Sequence, residues 1–340
     1  MDDSKYCLLR EKFLSTFEVY WKDILQEFTL SQAQFNVGNR LRPIIAFGGY
    51  LFAKNKDTLS SDNYTLISKV AVSIEMLHKA SLLIDDLIDN DEYRHGVPTF
   101  HTEFGSDRTI MFALNVVGRA TEYFYQTAEE LPSTHPLRVN GIPCFLHAVP
   151  EMARGGLEEL CLTPQNKFDF LRLNSIVYSE TSVIIETSLL LGYYASGNFN
   201  EQVARLLSRI GDKCGYLFQL MNDMEAFCSQ EKNIEHKGAL NMDFERERKN
   251  LVIAYLYQLL SKGERKQLLT CKPSEQGKFL IKLFQTYRLK DDFSRKITHI
   301  HDSLTGDIQQ LCELGNCPAW YEMFEAFIEQ VYDMCKQRLG

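Results

Sequence analysis

From residue 50 to residue 95 the sequence contains neither glycine nor proline. So long a stretch without a backbone breaker leaves helix as the economical reading, because strands and turns need punctuation. Its apolar residues Val72, Met76, Leu77, Leu83 and Leu87 recur at helical spacing. A second unbroken run lies between Gly215 and Gly238. No sustained apolar–polar alternation bounded by Asn-Gly or Asp-Gly marks a strand. Residues 131–150 carry Pro132, Pro136, Pro143 and Pro150, which predicts a loop and helix boundaries there. Neither repeats nor low-complexity segments interrupt the chain. The expectation is an all-α fold, one domain over residues 1–340, built as a helical bundle.

Composition narrows the function. With 45% hydrophobic residues the 340-residue chain can bury a sizeable core. A net charge of -8 gives no support to nucleic-acid binding, which needs a basic face. A small anionic substrate remains compatible, since a locally positive pocket can sit in an acidic protein. The start, Met1 to Cys7, lacks the basic region and apolar run of a secretory signal. The most apolar stretch, Ser182 to Ala195, is interrupted by Glu186 and is too short to span a bilayer. Nine scattered cysteines without CxxC spacing argue against a disulfide framework and a zinc site. A cytoplasmic protein with reduced thiols and no transmembrane segment is expected.

The strongest chemical signal is the segment Leu82-Leu83-Ile84-Asp85-Asp86-Leu87-Ile88-Asp89. On a helix Asp85 and Asp89 share a face, with Asp86 beside Asp85. Like charges at that spacing destabilise a helix, and a hard divalent cation with oxygen ligands would compensate them. Bridged to phosphate oxygens, such a cation would also neutralise a departing diphosphate. A solvated acidic helix end is the bland alternative, but these aspartates are embedded among leucine and isoleucine. Beyond them, Tyr93-Arg94-His95-Gly96-Val97-Pro98-Thr99 supplies a glycine turn and an arginine able to fork onto phosphate.

At these residues the chain resembles the trans-isoprenyl diphosphate synthases, the polyprenyl synthetase family. The similar segments are Gly38-Asn39-Arg40-Leu41-Arg42-Pro43, Ile74 through Asp89, Arg94–Gly105, Phe218-Gln219 with Asn222-Asp223, and Lys237–Leu251. The resemblance implies an all-α bundle around a central cavity, usually homodimeric. It implies three Mg²⁺ held on an allylic isoprenyl diphosphate by two facing motifs, here Asp85, Asp86 and Asp89 opposite Asn222 and Asp223. It further places Arg94, Gln219, Lys237 and Arg248 on that diphosphate. A metal-free basic site for isopentenyl diphosphate would comprise Arg42, His78, Asn39 and His95. Ala80 and Ser81 would form the tunnel floor; both are small, leaving room for a chain of about fifteen to twenty carbons or more.

Several positions depart from the family pattern. Asn222-Asp223-Met224-Glu225-Ala226 stands where the family has Asp-Asp-x-x-Asp, so a neutral ligand replaces an anionic one. Glu180-Thr181 replaces Lys-Thr, which puts an anion where a diphosphate-binding cation belongs. Asn39 replaces the lysine of the isopentenyl site and His95 an arginine. With charged hydrogen bonds contributing roughly 1.5–3 kcal/mol each, these losses predict isopentenyl binding weaker by about 10²- to 10⁴-fold. That favours an enzyme that ionises an allylic diphosphate and then cyclises or quenches the cation, as class I terpene synthases do. The alternatives are chain elongation with isopentenyl diphosphate, prenylation of another acceptor, or a non-catalytic partner subunit. Phe47, Phe112 and Phe218 could stabilise a cation through their ring faces, but core packing is expected of each. Asp291-Asp292 reads as a solvated turn.

Overall fold

The computed structural model describes residues 3–28, 35, 38–54, 59–163, 166–228, 249–315 and 332. Lys237 and Arg248 lie outside the described residues. Helix α1 (Asp3–Glu27) buries Phe13, Phe17, Trp21 and Ile24, one stripe at three- and four-residue spacing that Phe28 continues just past its end. Helix α2 (Leu41–Phe52) starts behind Arg40, which adopts a left-handed backbone with φ 55°. Arg40 is held there by hydrogen bonds to Glu18 (3.0 Å), Glu75 (3.3 Å) and the Phe35 carbonyl, and by the Trp21 ring 5.0 Å away.

Helix α3 (Ser61–Asp89) occupies most of the stretch free of breakers. Ser60 and Asn63 form a capping box at its start, and Asn90, at φ 52°, ends it. The middle of α3 is buried nearly all round, against α1, α2, α5 (Ser106–Glu129) and α8 (Val183–Ala195). Between α3 and α5 come a two-stranded antiparallel hairpin, β1 (Tyr93–Arg94) and β2 (Val97–Pro98), and the short α4 (Phe100–Phe104). The hairpin was not expected from the sequence: two-residue strands are too short to show alternation.

A π-helical turn (Leu137–Gly141) leads into α6 (Ile142–Leu160). Pro150 lies inside α6, where a boundary was expected; the carbonyl it deprives, that of Leu146, belongs to a solvent-exposed residue. Helix α7 (Phe170–Val177) runs through a second π-helical turn (Tyr178–Ser182) into α8. The segment too short for a membrane is therefore a buried central helix. No described helix is long and apolar enough to cross a membrane. Helix α2 packs on α8 at backbone contact: a Cβ on Gly49 would lie 2.2 Å from the Leu189 carbonyl oxygen, and one on Gly192 only 1.9 Å from that of Ala46. Helix α9 (Glu201–Cys228) covers α8, and α10 (Leu251–Leu259), α11 (Lys262–Thr270), α12 (Pro273–Thr286) and α13 (Leu289–Gly315) follow.

Candidate active site

The C-terminal end of α3 gathers Asp85, Asp86 and Asp89 within its last two turns, with no basic residue in the last turn. That end carries the negative pole of the helix dipole, so these carboxylates add to an already unfavourable field. Asp85 reaches solvent but stands in a crowded rim. Burial pushes its carboxyl up to about 6, opposed by Arg94 and Lys249 and reinforced by Asp86 and Glu159. Asp86 is buried and turned to Arg94, whose Nε donates to Oδ1 at 2.7 Å. Burial raises the Asp86 carboxyl despite that partner; for Arg94, burial works against the charge, but the bond to Asp86 and the charges of Asp86, Asp85 and Asp91 together outweigh it, so the guanidinium stays charged.

The hairpin explains how Arg94 returns to α3. His95 and Gly96 both take positive φ (51° and 76°), the two-residue turn that suits the twist of paired strands. Thr99 closes its base, donating from Oγ1 to the Asp91 carbonyl at 2.6 Å and from its amide to that of Glu92 at 3.0 Å. The motif residues thus divide the local work, with Arg94 contacting Asp86, Gly96 making the turn and Thr99 bracing it.

Behind the rim lies a cavity of about 260 Å³. The structure brings Asn39, Arg42, His78, Asp86, Arg94, His95 and Asn222 to its walls, together with Arg40, Glu75 and Lys79. Among the described residues, four cations there, Arg40, Arg42, Lys79 and Arg94, face two carboxylates, Glu75 and Asp86. Burial, then the cations of Arg42, Lys79 and Arg94, push His78 well below the ordinary imidazole range, so it is a neutral ring. Burial also lowers Arg42, with Glu75 acting against it, and the Arg42 Nε has no hydrogen-bond partner among the described residues. Lys79 is 6% exposed, with Nζ 3.9 Å from Glu75 Oε1; burial pulls it down to about 8, Glu75 opposing and Arg40, Arg94 and Arg42 adding to the fall.

Lys79, Glu75 and Arg40 were missed in the sequence. The available signal was the spacing of Glu75, His78, Lys79 and Asp86, polar residues recurring on one side of an otherwise apolar helix. Ala80 and Ser81 are not on the cavity wall: Ala80 is buried in the core, and Ser81 donates its hydroxyl to the His78 carbonyl at 2.9 Å.

Across from α3, Asn222 on α9 is exposed while Asp223 is buried. Asp223 accepts from Gln219 Nε2 at 2.8 Å and from the Leu251 amide at 2.6 Å, and Gln219 in turn accepts from the Thr181 hydroxyl at 3.0 Å. Glu180, on the second π-helical turn, pairs with Lys249, which also pairs with Glu159. The anion that looked repulsive in the sequence therefore shares a cation with Glu159. Phe47 stacks on Phe13 with centroids 4.4 Å apart, and Phe112 on Phe100 at 4.8 Å, so both belong to aromatic core packing. Asp291 and Asp292 sit in the first turn of α13, where Asp292 pairs with Arg295.

Among the described residues no three His, Cys, Asp or Glu side chains are gathered as a metal cage. The donor set nevertheless fits Mg²⁺, which takes hard oxygens, keeps several waters and binds through one or two carboxylates plus substrate phosphates. Such an ion would add to the relief that Arg94 already gives the negative end of α3.

A geranylfarnesyl diphosphate synthase of Aeropyrum pernix is 27% identical over 238 residues, 70% of this chain and 72% of that protein. A geranylgeranyl diphosphate synthase of Saccharolobus solfataricus is 23% identical over 256 residues, 74% and 73% of the two chains. A solved geranylgeranyl pyrophosphate synthase superposes with a TM-score of 0.77 at 17% identity, covering 96% of this chain and 97% of that one. The farnesyl diphosphate synthase of T. brucei, solved in complex with a bisphosphonate, gives 0.75 at 15% identity over 95% and 99%. At these identities the solved structures establish a shared helical fold. A sequence profile described as polyprenyl synthetase matches residues 25–281. The chain belongs to the polyprenyl synthetase family.

Proposed function

We propose that this chain is a chain-elongating prenyltransferase, condensing isopentenyl diphosphate with an allylic isoprenyl diphosphate of about the C15–C20 class, the size that the small Ala80 and Ser81 suggest by resemblance. The observation that carries this reading is the pairing of two unlike anion-handling sites: a carboxylate rim suited to metal-bound diphosphate, and beside it a cavity where four cations face two carboxylates. A cyclase needs only the first. In the reaction the allylic C–O bond breaks, diphosphate departs with the electron pair, the isopentenyl alkene attacks the allylic carbon, and a proton is lost.

Magnesium, three ions by resemblance, would be held by Asp85, Asp86 and Asp89 with Asn222 and Asp223 opposite, and would supply neutralisation of the leaving diphosphate. Arg94, kept charged by Asp86, lies between rim and cavity and can address either diphosphate. Neutral His78 can donate a hydrogen bond without adding charge. Cyclisation, which Asn39, His95 and Glu180 favoured in sequence, loses support in space, because the cavity retains its cations and Glu180 is turned into an ion pair with Lys249. The names of the relatives, both prenyl diphosphate synthases, point the same way.

The test is incubation with Mg²⁺ and geranyl, farnesyl or geranylgeranyl diphosphate, with and without isopentenyl diphosphate. A longer diphosphate formed only with the second substrate is expected. A hydrocarbon or alcohol formed without it would establish cyclisation instead, and diphosphate release in neither case would make the chain a non-catalytic partner.

A further inference from the structure

Of the cations in the cavity, Arg40 is bound by Glu18, Glu75 and the Phe35 carbonyl, and Arg94 by Asp86. Arg42 presents a buried Nε without a hydrogen-bond partner among the described residues. Lys79 projects from α3 toward the loop before α2: its Nζ lies 3.4 Å from the point a Cβ on Gly38 would occupy. The ammonium therefore stands beside the backbone that carries Asn39, the position where the family pattern has a lysine. A cation absent from the loop has a counterpart arriving from the helix opposite.

We propose that Lys79 is the diphosphate-binding lysine of the isopentenyl site in this chain, its ammonium taking from α3 the place that a lysine at position 39 would fill from the loop. The ligand's identity rests on the elongation reading above; the cation cluster does not. Three features support the assignment. The side chain is almost wholly buried yet lines the cavity, an arrangement unsuited to a solvated surface lysine. Its neighbours include three guanidinium groups, and an incoming anion would relieve their mutual repulsion. Glu75, at 3.9 Å and already bonded to Arg40, divides its charge between two cations.

A purely structural Lys79 would balance Glu75 without meeting the ligand, and the two roles separate experimentally. Calorimetric titration of the full chain with isopentenyl diphosphate, without Mg²⁺, is the primary measurement. Loss of one charged contact by Lys79→Met is expected to weaken binding roughly 10- to 100-fold. Adding Asn39→Lys to that variant should restore most of the affinity, which a structural role would not allow. If Lys79→Met does not fold, as judged by its circular-dichroism melt, Lys79→Gln with Glu75→Gln removes both charges and should show the same loss. Unchanged affinity, a loss that Asn39→Lys fails to repair, or no binding by the wild type would each overturn the proposal. Lys79-dependent binding without any elongation would leave the proposal standing and refute the elongation reading; elongation with binding indifferent to Lys79 would do the reverse.

Discussion

Burial pushes the Asp85 carboxyl up to about 6 from 3.8, so the folded chain holds a proton there more readily than the unfolded one. The charged form therefore works against folding, and the penalty grows as pH rises through that interval and is absent below it. Asp85→Asn should melt at a higher temperature than the wild type at pH 8, with the gap closing as pH falls toward 4, while activity is lost. Melting curves across that range check it, and equal stability at pH 8 would refute it. Lys249 carries a second prediction at this scale. Lys249→Ala leaves Glu180 and Glu159 without their shared cation, so kcat/KM should fall roughly tenfold or more. Glu180→Gln in the same chain should recover part of that loss. The aspartates were legible because their spacing alone defines a helix face. Lys249 was not: its partner Glu180 stands 69 residues away, so either residue read alone looks misplaced.

The hairpin and the helix crossings show why some elements escape a sequence reading. Two-residue strands have no periodicity, although the glycine turn between them is visible in the sequence; that the turn brings Arg94 back onto Asp86 is a fact of the fold. Gly96 has φ 76° with no described residue within 4 Å of its absent Cβ, so Gly96→Ala should act through backbone strain, about 1–2 kcal/mol. Displacement of Arg94 should accompany it, seen as a raised KM for diphosphate substrates. Gly192→Ala is a different case, because its methyl group would meet the Ala46 carbonyl oxygen at 1.9 Å. Moving α2 from α8 should cost more than about 3 kcal/mol, measurable by urea unfolding. The long helix α3 was legible from the absence of breakers, and Pro150 inside α6 was not, since proline there reads as a boundary.

Among the described residues, buried side chains from Phe13 to Leu311 form one large core, with a smaller cluster of Leu173, Ile176, Val177, Leu251 and Ala254 separate from it. Its helical character followed from periodicity, whereas the order in which helices meet rests on glycine contacts that composition does not reveal. One face remains apolar: Met111, Leu114 and Tyr125 on α5 and Leu146 on α6 are exposed, the last two beside a hollow of about 410 Å³. The homodimer that the resemblance implies would find its seam here. Leu114→Glu with Leu146→Glu should convert a dimer to a monomer in light scattering; an unchanged mass would place the interface elsewhere. The acidic balance of the chain and the basic cavity are reconciled at this scale too, since the cavity gathers its cations into one recess.

The second π-helical turn, Tyr178–Ser182, gives α7 and α8 an extra residue in what is otherwise one continuous rod. Each residue of an α-helix advances the side chains by about 100°, so the two helices are out of phase by that angle where they join. Removing a single residue there would heal the hydrogen-bond ladder and yet swing either Glu180 and everything before it, or Thr181 and everything after it, to a new compass bearing. A deletion at this point is therefore a rotation of half the site, whereas substitutions leave its aim intact.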